Sequence, residues 1–72
     1  MCYLMQTESK CSVGTEAEAQ KFLRDLAAND KPAAFAIYKI AGVGDVRPLH
    51  VVFMRNAGGY VEDRFGNMMF SF

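Results

Sequence analysis

Residues 55–72 read RNAGGYVEDRFGNMMFSF. Gly58-Gly59 and Gly66-Asn67 each stand between β-prone runs, which is the pattern of two-residue hairpin connections. With both turns two residues long, Arg55 falls opposite Glu62, Met54 opposite Asp63, and Glu62 in turn opposite Ser71. Alternation then sorts the side chains into two sets. Val52, Met54, Val61, Phe65, Met68, Phe70 and Phe72 share one face, with Asp63 discordant among them. Val51, Phe53, Arg55, Tyr60, Glu62, Arg64, Met69 and Ser71 share the other. A second register uses type I turns over 56–59 and 63–66, each with a glycine bulge. It sets Glu62 between Met54 and Met68 on an apolar face, where burial of an unpaired carboxylate costs several kcal/mol. The two-residue turns are therefore the preferred reading.

Upstream, LHVVFMR (49–55) and AAFAIYKIA (33–41) are strand sequences rich in β-branched and aromatic residues. GVGDVRP (42–48) between them reads as a loop, and its Gly42-Val43-Gly44 lacks the remaining elements of a phosphate-binding fingerprint. CYLMQT (2–7) is compatible with a strand, and ESKCSVG (8–14) reads as a loop. The helix is explicit. Thr15 and Glu18 have capping-box spacing, and Ala19, Phe22, Leu23, Leu26 and Ala27 follow at one helical period. Asn29 in a left-handed conformation and Pro32 end it. The expected fold class is α+β in the order β-α-β-β-β-β. One helix at about 16–28 packs on one face of a four- to five-stranded antiparallel sheet, within a single domain spanning 1–72. The Phe/Met face is expected to meet the helix.

Composition narrows the function. Eight Lys plus Arg balance eight Asp plus Glu in 72 residues, so the chain lacks the basic surplus that phosphate neutralisation needs. A nucleic-acid partner is disfavoured. No apolar run approaches the length of a bilayer, no signal-peptide pattern opens the chain, and two cysteines make no disulfide framework, so a cytoplasmic location is expected. Hydrophobic residues make up 51% of the chain, a high share for a body with so little interior. A surplus of apolar surface covered by another chain, such as a second copy in a homodimer, follows from that.

The reactive side chains are few. Cys2 after Met1 resembles the N-terminal nucleophile of class II glutamine amidotransferases. The resemblance covers one residue, and Tyr3 stands where glycine is usual. Cys2, Cys11 and His50 supply the alternative reading, a small Cys/His-dependent enzyme or a metal protein, without the close cysteine spacing typical of zinc sites. Glu62 and Asp63 are neighbours on a strand and point to opposite faces, so they cannot serve one site as acid and base. A dimeric nucleic-acid regulator would rest on Lys39, Arg47, Arg55 and Arg64.

The favoured expectation is a non-catalytic protein-binding module without cofactor or metal, using a sheet face or an edge strand. Its expected contact residues are Phe53, Arg55, Tyr60, Glu62, Arg64 and Met69, since Tyr and Arg beside apolar side chains match interface hot spots. In size and format the chain resembles small inhibitors and accessory proteins of phages and mobile elements, anti-CRISPR proteins included.

Overall fold

The computed structural model describes residues 2–29, 34–56 and 58–72. Its elements are β1 (Cys2–Thr7), β2 (Cys11–Gly14), α1 (Glu16–Ala27), β3 (Phe35–Gly42), β4 (Asp45–Pro48), β5 (His50–Met54), β6 (Gly58–Glu62) and β7 (Met68–Ser71). The strands form two antiparallel sheets, β2-β1-β3-β4 and β5-β6-β7. The α+β class and the single helix agree with the sequence reading. The structure adds two strands, β2 and β4, where loops were expected, and divides the strands between two sheets.

Helix α1 starts where its cap dictates. The Glu18 amide donates to the Thr15 hydroxyl at 3.4 Å and the Thr15 amide donates to the Glu18 carboxylate at 3.2 Å. At the other end the side-chain amide of Asn29 donates to the Asp25 carbonyl at 3.1 Å. Asn29 thus closes the helix through its side chain; Asn56 is the non-glycine residue with positive φ among those described. Pro32 lies outside the described residues.

Ala19, Leu23 and Leu26 are the buried face of α1. They meet Tyr3, Met5 and Ile37 of the first sheet and Val61 and Phe70 of the second. Partner residues across an antiparallel pair share a face. The helix side of the first sheet therefore carries the rows Gly14–Tyr3–Lys39–Arg47 and Ser12–Met5–Ile37. β2 offers the helix only Ser12 and Gly14, which leaves room for α1.

The two sheets are joined through residues 45–54. β4 pairs with β3, the Leu49 amide donates to the Ile37 carbonyl at 3.0 Å, and β5 pairs with β6. A run of edge-to-face rings, Phe22–Phe35–Phe53–Phe72, crosses from the helix through both sheets with centroids 5.7–6.2 Å apart. Tyr3 meets Phe70 in the same way at 5.3 Å.

The register of the last three strands differs from the preferred reading. Met54 pairs with Gly58 and His50 with Glu62, so Gly58 and Gly59 are strand residues and the chain reverses between Met54 and Gly58, with Asn56 at φ 71°. Gly59 is needed in the strand because a Cβ there would collide with the Val52 carbonyl and the Phe72 ring. The second turn is the alternative one. The Gly66 amide donates to the Asp63 carbonyl at 3.1 Å, and Gly66 has φ +83°. Glu62 does then lie on one face with Met54 and Met68, but that face is open. The cost that counted against this register does not arise.

Candidate functional site

The far side of the first sheet is the most distinctive surface of the molecule. Register places Val13–Leu4–Tyr38–Pro48 in one row across the four strands. Cys2–Ile40–Val46 form a second row and Cys11–Gln6–Ala36 a third. None of these positions carries a charge, and none is buried. Val13 and Val46 are 57% and 49% exposed. The helix occupies the opposite side, so these apolar side chains gain nothing from the core. Lys39 of the central strand β3 and Arg47 of the edge strand β4 are on the helix side, at its end.

The six residues expected as a contact patch do not share a face. Phe53 points inward, 5.7 Å from both Phe35 and Phe72. Met69 occupies a bulge between the pairs Glu62–Met68 and Val61–Phe70 and packs against the core. Tyr60 and Glu62 lie on the open side of the second sheet. Arg55 and Arg64 sit in turns at opposite ends of β6, separated by a strand about 17 Å long. The Arg64 guanidinium stacks 4.8 Å above the Phe65 ring. The assignment of Phe53 and Met69 to the exposed side is therefore corrected, and the exchange extends to Val51, which packs against the core, and to Met54 and Met68, which are exposed.

A cleft of about 350 Å³ separates β4 from the β6–β7 turn and is lined by residues 45–48 and 63–65, so it borders the outer face at Val46 and Pro48. Its carboxylates are already engaged. Asp45 accepts from Arg47 Nε at 3.2 Å and Nη2 at 3.1 Å, and these hydrogen bonds hold its carboxyl below the usual range. Asp63 accepts from the backbone amides of Asn67 at 2.9 Å and Phe65 at 2.8 Å, which likewise lower its pKa. Carboxyls shifted downward are poor proton donors near neutrality. The discordant Asp63 is explained: it builds the turn around Gly66.

A second cleft, of about 440 Å³, is lined by Tyr3, Glu16, Lys39 and Met69. Burial, helped by the Glu16 charge, raises the Tyr3 phenol above its ordinary value, which keeps the phenol protonated.

Cys2, Cys11 and His50 do not converge. Cys11 pairs with Gln6, four residues along β1 from Cys2, a separation of about 13 Å along the strand. That exceeds the reach of a disulfide. His50 is on the other sheet, its Nδ1 3.0 Å from the Glu62 carboxylate. Among the described residues no three His, Cys, Asp or Glu side chains form a group able to hold a metal. Lys39 and Arg47 are paired in register, yet Arg47 is committed to Asp45 and Arg55 is remote from both. Among the described residues no helix is long and apolar enough to cross a membrane.

The outer apolar face was only half legible in the sequence. Its signal is the period-two set Cys2, Leu4, Gln6 together with Tyr38 and Ile40. The strands are apolar on both sides, so alternation separates the faces without saying which one the helix covers. Compared with models of known families, with characterised proteins and with solved structures, the chain matches none.

Proposed function

We propose that this protein is a non-catalytic protein-binding module whose contact surface is the outer face of β2-β1-β3-β4. The observation that supports this reading is the uncharged, uncovered array centred on Leu4, Tyr38 and Ile40 and flanked by Val13 and Val46. A contiguous apolar patch on a small protein marks an interaction surface. Asp45 and Asp63, the acidic groups of the first cleft, are tied into an ion pair and a turn, which favours stoichiometric action over turnover. Occupying a surface in this way is how an inhibitor or accessory subunit works. The size and format of the chain suit that role.

The test is affinity capture from the native host, with the chain and its Val13→Lys/Val46→Lys variant as parallel baits. A chain held by the first bait and lost by the second, a further copy of this protein included, is the expected result. Capture that is the same with both baits overturns the assignment of this face.

A further inference from the structure

We infer that the occupant of the outer face of the first sheet is a second copy of this chain, packed face to face. The inference rests on the binding-module reading above and names its partner.

Charge is the first argument. A two-fold interface brings each patch against itself, so any charge on it meets its like near the axis. The rows through Leu4, Tyr38 and Ile40 hold none, and the chain as a whole is neutral at eight against eight. Composition is the second. Interfaces between different proteins are about as polar as the rest of the surface, whereas homodimer interfaces are the more apolar class. Gln6 and Tyr38 are the side chains with strong hydrogen-bonding groups in these rows, which is few for orienting a dissimilar partner.

Area is the third argument. Strands of six, four, eight and four residues, about 4.8 Å apart, present roughly 350 Å² in projection per copy. Corrugated side chains raise the roughly 700 Å² of two such faces, which remains in the weak, transient class below about 1,200 Å². Two sheets stacked about 10 Å apart with interdigitated side chains are the ordinary sandwich arrangement. An interface of this size predicts reversible association in the micromolar range rather than a permanent dimer.

Light scattering coupled to size exclusion, run over about a hundredfold range of concentration, tests this by mass action. The expected result is a rise from monomer to dimer mass, with Val13→Lys/Val46→Lys remaining monomeric and keeping the circular dichroism of the parent. A second readout needs no variant. Cys2 and Cys11 are exposed within the face, so labelling of their thiols should slow severalfold as protein concentration rises through the transition. A parent protein that stays monomeric with concentration-independent labelling overturns the dimer. If its capture of a different protein is still abolished by the two lysines, the binding-module reading stands without it. A dimer that the two lysines leave intact also overturns the proposal, because it must use another surface.

Discussion

The four strands β2-β1-β3-β4 have apolar side chains on both faces, and the two faces have opposite fates. The helix side is covered by Leu23 and Leu26 and holds Tyr3, Met5 and Ile37 at 5% exposure or less. The far side, with Leu4, Tyr38, Ile40, Val13 and Val46, has no buried member. Charge is distributed against intuition, since Lys39 and Arg47 are on the helix side and the open side has none. A sheet that needed only to fold would place its charges outward. The difference teaches that hydrophobic content identifies strands, while the location of charge identifies which apolar face is reserved for something else.

The sharpest way to break this contrast is one substitution among the side chains packed against the core, at Phe53 on β5, and one on the open face of the first sheet. Phe53→Glu puts a carboxylate into the ring series between Phe35 and Phe72 and removes its packing. The expected loss is about 4 kcal/mol, combining truncation of a core aromatic with an unpaired charge. A domain of this size has little more than that to lose, so its cooperative thermal transition should disappear. Val46→Lys, on the open face, should change stability by no more than about 0.5 kcal/mol. If both variants melt alike, the open face is not distinct from the core.

Next in size is Leu23→Ala. Leu23 is fully buried beneath both sheets. Removing it should cost about 3 kcal/mol, the transfer energy of the lost atoms plus a cavity that a helix clamped by two sheets cannot close. Urea titration measures the shift. A loss below about 1 kcal/mol would mean that the helix is not the keystone between the sheets.

A smaller effect separates the turn from the core. The amides of Asn67 and Phe65 lower the Asp63 pKa in the fold, so the unfolded chain binds the proton more tightly. The stabilisation is therefore full above about pH 4, the ordinary aspartate value, and fades as pH falls through the lower folded pKa. Asp63→Asn keeps acceptor geometry for the turn but cannot titrate. Its stability should decline less steeply on acidification than that of the parent, leaving the share of Asp45, whose pKa is lowered by Arg47. An unchanged acid limb would show that the Asp63 carboxylate does not stabilise the fold.

These contrasts explain what the sequence could and could not disclose. Helix α1 was legible because cap and stripe agree over twelve residues. β2 was not, since its inward residues are Ser12 and Gly14 and its four residues carry no apolar alternation toward the core. The hairpin rule misassigned Gly58-Gly59 because these glycines serve close approach to Val52 and Phe72, while Asn56 supplies the positive φ. The faces of β5 to β7 were exchanged at Phe53 for a different reason. Both sides of that meander are apolar, and the Glu62 argument presumed that an apolar side is a buried one.

Glu62 provides the smallest and most discriminating prediction. On the open side of the second sheet it pairs with His50 across β5 and β6, Nδ1 to Oε1 at 3.0 Å. An exposed cross-strand pair of this kind contributes at most about 1 kcal/mol. His50→Ala should therefore lower the melting temperature by only a few degrees, and with the imidazole protonated high salt should shrink the difference. The same substitution under the preferred but incorrect register would leave Glu62 beside Arg55 and change nothing at low or high salt. A salt-sensitive loss on His50→Ala, absent from Arg55→Ala, thus reads out the strand register directly. That register also decides whether Phe53 belongs to the core or to a partner.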